Sequence, residues 1–178
     1  MRYEIKTEST PFWIGLDKLH NRDVLIKFID SEEEGIDYGS LREISILRRL
    51  HHPNILQLLD MVDHGARNFA VFEFSDLNLM LHLISMDEIN RKDSINIKSF
   101  CWQLFNAVRY IHHKGVIHRN LNPRNLYISS EGYLKIANFD SARVILPGIS
   151  AKFTKEVILL YTIQFSTMQC NAIIYYNR

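Results

Sequence analysis

The stretch "VIHRNLNPRNLYI", residues 116–128, sets Asn120, Asn122 and Asn125 within six positions, and Asn138 follows in "LKIANFDSARV". Such a polar run between short apolar segments has the shape of a catalytic loop. Its side chains are carboxamides, which donate and accept hydrogen bonds but do not titrate at any ordinary pH. General acid–base work needs a group that gains or loses a proton. The loop therefore offers positioning without proton transfer.

The elements around this loop alternate in type. "PFWIGLDKLHNRDVLIKFID" holds two apolar β-prone runs around a polar turn, a hairpin pattern. Lys27 lies inside the second run, either outward-facing by alternation or aimed at an anion in a cleft, and spacing alone favours the outward reading. "GSLREISILRRLHHPNI" predicts a helix with Leu41, Ile44, Leu47 and Leu50 on its apolar face, an exit at Pro53, and Glu43 beside that face as a solvated carboxylate. "ILQLLDMVD" and "NFAVFEF" read as strands. A long amphipathic helix follows, with Ile97, Phe100, Cys101, Leu104, Val108 and Ile111 on one face and Gly115 placed to cap it. "NLYIS" and "YLKIA" read as short strands about a Glu131–Gly132 turn.

The 178 residues, 47% of them hydrophobic, predict one globular domain, and a net charge of +1 argues against nucleic acid or a polybasic membrane surface as a partner. Cys101 and Cys170 are far apart and read as reduced thiols. The charged N-terminus carries no export signal, so the expected address is intracellular, cytoplasm or nucleus. The uncharged run from Val157 to Tyr176 matches the roughly 20 residues needed to cross a bilayer. Thr162, Gln164, Ser166, Thr167, Gln169 and Asn171 interrupt it, which makes a membrane anchor the lesser reading. His51, His52, His112 and His113 sit near helix ends, where an imidazole suits the dipole, and adjacent pairs lack metal-ligand spacing.

This order of elements, with "HRN…N" followed by "NFD", resembles a eukaryotic protein kinase, and within it the cyclin-dependent kinase family. "HRNLNPRNLYI" resembles that family's H-R-D-L-K-P-x-N-L, "LKIANFDSARV" its L-K-I-A-D-F-G-L-A-R, and "EEEGIDYGSLREISILRRLHHPNILQLLD" its cyclin-binding helix and next strand. The resemblance implies an α+β, protein-kinase-like fold. Its parts are a β-rich small lobe and hinge over residues 1–75, a partial, mainly helical large lobe with one long helix over 76–160, and a divergent tail over 161–178. After Leu160 the family's further helices do not follow, so the large lobe reads as truncated.

By the same resemblance Lys27 is the phosphate-holding strand lysine and Glu43 its helix partner. Glu73, Phe74 and Ser75 form the hinge facing adenine, with Phe72 guarding the pocket. Asn125 is the metal-binding asparagine of the loop. Asn120 stands where the catalytic aspartate belongs, Asn122 where the loop lysine belongs, and Asn138 and Asp140 replace the aspartate and glycine of D-F-G. "KTESTP" stands where G-x-G-x-x-G is expected. Arg42, Arg119 and Arg143 match the arginines that clamp a phosphothreonine, and Thr154 matches its acceptor; these residues are either a retained phospho-switch or leftovers of a decayed kinase. "DYGSLRE" keeps only the second half of P-S-T-A-I-R-E. ATP and Mg²⁺ are then weak ligands at most. The implied function is a catalytically dead pseudokinase that binds a cyclin or another kinase-regulating protein. The alternatives are a serine/threonine kinase with weak residual transfer and a non-functional truncated product.

Overall fold

A computed structural model describes residues 2–8, 12–31, 35–36, 38–64, 67–75, 77–81 and 94–145. The chain opens with strands β1 (Tyr3–Thr7), β2 (Trp13–Asp17), β3 (Arg22–Phe28) and the short pair β4 (Asp30–Ser31) and β5 (Gly35–Ile36). Helix α1 (Tyr38–Leu47), β6 (Leu58–His64), β7 (Arg67–Glu73) and β8 (Leu77–Asn78) follow. Helix α2 (Ser94–His113), β9 (Val116–Ile117), β10 (Leu126–Ile128), β11 (Leu134–Ile136) and β12 (Arg143–Val144) complete the described chain.

The first sheet has the antiparallel order β1-β2-β3-β7-β6. The β2–β3 hairpin, the β6 and β7 strands, and the β10 and β11 strands lie where the sequence pattern puts them. β1 is an added edge strand that the pattern did not signal. Gly15 eases it: a Cβ there would meet the Ile26 side-chain tip at 2.5 Å and the Glu4 carbonyl at 3.0 Å, so a larger residue would have to push Ile26 aside and crowd β1. At its central strands, β3 and β7, the sheet is buried on both faces. Leu25, Ala70 and Phe72 face α1 and the large lobe, whereas Tyr3, Val24, Ile26 and Val71 form a second apolar cluster with Trp13 and Phe69.

This double burial corrects the reading of Lys27. Alternation predicts an outward face only when one face of the sheet meets solvent. Here Lys27 shares the inner face with Leu25 and points to α1. The reading of α1 is corrected too. Leu41 is 43% exposed, and the buried stripe is Ser40, Glu43, Ile44, Ile46 and Leu47. The helix ends at Leu47, so Leu50, though buried, belongs to the turn beyond it.

A polar knot joins the two lobes behind the cleft. Asn54 Nδ2 donates to Gln103 Oε1 at 2.7 Å and to the Leu134 carbonyl at 2.9 Å, and Leu134 N–H donates to the same Gln103 Oε1. Leu56 N–H donates to Ile136 O, and Ile136 N–H to Asn54 O. These bonds satisfy polar groups that the apolar residues Leu104, Ile111, Ile128 and Ile136 bury around them. Ile97 lies outside the residues whose side chains are described, while Leu104 and Ile111 are buried as expected and Phe100, Cys101 and Val108 are half-buried. Gly115 and Gly132 take positive φ at the two predicted turns. His112 and His113 lie in the last turn of α2. His51 and His52 follow α1 instead, and the His52 ring packs on Tyr110.

Candidate functional site

The inner face of β3, the buried side of α1 and the loop after β11 meet at Lys27. Its ammonium donates to Glu43 Oε2 at 2.6 Å and to Asn138 Oδ1 at 3.1 Å. Glu43 is 1% exposed, which overturns its reading as a solvated carboxylate. Its other oxygen accepts the backbone N–H of Phe139 at 2.9 Å. A buried carboxylate is tolerable only when paired and bonded in this way.

The lysine fixes the two carboxamides beyond it, Asn138 and Asn125. An ammonium only donates, so Asn138 must turn its oxygen to Lys27. Its amide nitrogen then donates to Asn125 Oδ1 at 3.2 Å. Asn125 in turn directs its nitrogen to the Asn120 carbonyl at 2.7 Å. The result is a one-way relay, Lys27 to Asn138 to Asn125 to the Asn120 backbone. Asn122 donates to both the Asn120 carbonyl and Asn120 Oδ1, and its own oxygen accepts Arg124 N–H to cap the single 3-10 turn Pro123–Asn125.

His118 holds the loop from beneath. A carbonyl accepts only, so the 3.0 Å contact of Nε2 with Ala137 O makes Nε2 the protonated nitrogen. Nδ1 then accepts Asn120 N–H at 3.3 Å. The neutral ring is fully bonded and buried edge-on to Phe139, and burial pushes its pKa down to about 4. Arg119 and Asn138 occupy the left-handed region at φ +68° and +66°, which asparagine tolerates better than most residues. His118 was not among the residues picked out from the sequence, although it stands in the "HRN" motif itself.

The positions expected to form a hinge are partly engaged. Glu73 N–H donates to Gln57 O, and its carboxylate takes both Gln57 N–H and the Lys135 ammonium, at 2.9 and 3.0 Å. Phe74 is half-buried. Ser75 is buried, and its hydroxyl has no hydrogen-bond partner among the described residues. At the Phe139–Ser141 turn, Arg42 donates to Asp140 O at 2.8 Å and Arg119 to Ser141 O at 2.7 Å. Burial, then the nearby Arg143 and Arg42 charges, pulls the Arg119 guanidinium below its usual pKa. Among the described residues none of these three arginines has an acidic partner. The Asp140 carboxylate accepts Ser141 N–H. Thr154 and the tail lie outside the described residues, and so does the Val157–Tyr176 run. Among the described residues no helix is long and apolar enough to cross a membrane.

A lysine–glutamate pair between a sheet and a helix, facing a loop with "HRN…N" and a following "NFD", is the arrangement from which kinases hold phosphate. A family model of the protein kinase domain matches residues 13–162. The chain belongs to the protein kinase domain family. Its α+β architecture is that of a kinase, with the five-stranded sheet and α1 as small lobe and α2 with β9–β12 as the described large lobe. Kinases employ Mg²⁺ held by an aspartate and an asparagine. The residues here do not fit that ion. The two candidate ligands, Asn125 and Asn138, are neutral, and both side-chain oxygens already accept hydrogen bonds. A hard cation favours charged oxygen ligands, and neither residue supplies one.

Proposed function

We propose that this kinase-family chain is a cyclin-dependent-kinase-like regulatory module that binds a protein partner and does not transfer phosphate. The observation that carries this reading is the carboxamide relay from Lys27 to Asn120. At the position of the catalytic base, Asn120 cannot take a proton, and one such group is typically worth ~10²- to 10⁴-fold in rate. The metal position is neutral and self-satisfied, so ATP and Mg²⁺ are at best weak ligands. The partner surface on this reading includes the start of α1, where Tyr38 is 82% exposed beside the exposed Leu41. An apolar pair of this kind on an otherwise docked helix suits a helical regulator such as a cyclin. The Arg42, Arg119 and Arg143 cluster would receive a phosphate on Thr154.

The test is transfer of labelled phosphate from Mg-ATP to a generic serine/threonine substrate. Incorporation by the wild-type chain should equal that of Lys27→Met. A second reading, a weak serine/threonine kinase, is favoured by the intact 2.6 Å Lys27–Glu43 contact. Transfer that disappears in Lys27→Met would establish it and sink the first.

A further inference from the structure

We infer that this chain occupies its own nucleotide cleft, with the Phe12 ring lodged where a purine base would stack. If Lys27 marks the phosphate end of the cleft, the base must lie along β3 toward the hinge. Two residues back on the same face is Leu25, paired across the sheet with Phe72, and β7 then leaves through Phe74 and Ser75. The opposite wall is β10 of the large lobe, which presents Tyr127. A base would enter between these walls as a flat apolar layer. That layer is already filled. The Phe12 ring lies 5.4 Å from Phe72 at 74° and 5.8 Å from Tyr127 at 79°, edge-to-face with both. All three rings are buried, at 4%, 1% and 8% exposure, in one cluster with Leu25 and Ala70.

The Phe12 ring stands edge-on between Phe72 and Tyr127 instead of lying flat in a stack, and its volume fills the space that a base would need. Phe12 comes from the small lobe and Tyr127 from the large, so the ring also ties the lobes together. Glu43 and Asn138 already take two of the three Lys27 N–H donors. This inference rests on the non-catalytic reading only in taking Lys27 as the phosphate end.

The test measures binding of a fluorescent ADP analogue without metal, displaced by unlabelled ADP. The wild-type chain should show no saturable binding up to about 1 mM. Phe12→Val and the double variant Phe12→Val, Tyr127→Leu should gain at least about tenfold in affinity. Displaceable wild-type binding below about 0.1 mM would overturn the inference. So would a cooperatively folded Phe12→Val chain that gains nothing. If the variants do not fold, the wild-type chain decides by NMR. The Phe12–Tyr127 ring-proton cross-peak should persist in millimolar ADP, and its loss would overturn the inference. Nucleotide binding without phosphate transfer would defeat only this inference, whereas transfer would defeat the non-catalytic reading itself.

Discussion

Asp17 and Glu43 are both buried carboxylates, and their surroundings differ in reach. Asp17 gathers Arg2, His20 and the Leu19 N–H, all from the β1–β2 edge of one sheet. Arg2 also reaches Asp60, which accepts the Tyr3 hydroxyl. That cluster is a local staple made of full charges. Glu43 takes Lys27 from β3 and the Phe139 N–H from the large lobe, so it is a joint between lobes. Beyond Lys27 the joint continues through neutral amides. A staple of charges can be complete within the small lobe. A kinase joint ordinarily leaves negative charge for metal and nucleotide to neutralise, and here that charge has been replaced by hydrogen bonds.

Substitution should cost most at the joint. Glu43→Ala leaves Lys27 without its carboxylate and Phe139 N–H without an acceptor, and should lower unfolding stability by about 4 kcal/mol in urea titration. His118 sharpens the same point through pH. Its pKa falls from 6.5 to about 4 on folding, so the unfolded chain binds more protons between those values. The stability tied to neutral His118 is complete above pH 6.5 and is lost as pH falls toward 4, by about 3 kcal/mol in all. His118→Leu should be less stable at pH 7 but flatter across that window.

The staple answers in a lower window. The Arg2 guanidinium first, with His20 and the Leu19 N–H, holds the Asp17 carboxyl well below the usual carboxylate range. Its contribution is present above about pH 4 and is lost as pH falls below that. Asp17→Asn should remove this acid-side slope in thermal melts while leaving the slope between pH 6.5 and 4 in place. The smallest effect is expected at the exposed start of α1. Tyr38→Ala should change stability by no more than about 0.5 kcal/mol, yet abolish capture of a cyclin-type partner if the proposed surface is right.

Much of this arrangement was legible in the residues. The period-2 runs gave β2, β3, β6, β7, β10 and β11, and the positive φ of Gly115 and Gly132 sits at the anticipated turns. The amide loop was readable as a run of side chains that do not titrate, because residue type alone fixes that. What sequence concealed is burial set by tertiary contact. Lys27 looked outward because a strand buried on both faces has no alternation to read. Glu43 looked solvated because its partners are 16 and 96 positions away. The weight of Phe12 and Tyr127 became visible only when two lobes brought their rings together.

The most direct test of the self-satisfied relay is the thermal midpoint of the wild-type chain with and without Mg²⁺, beside Asn138→Asp. The wild type should show no metal-dependent shift, and Asn138→Asp, which places a carboxylate at the metal position, should shift upward. A wild-type midpoint that rises with Mg²⁺ would contradict the self-satisfied relay, because its amide oxygens would then be giving up hydrogen bonds to the cation.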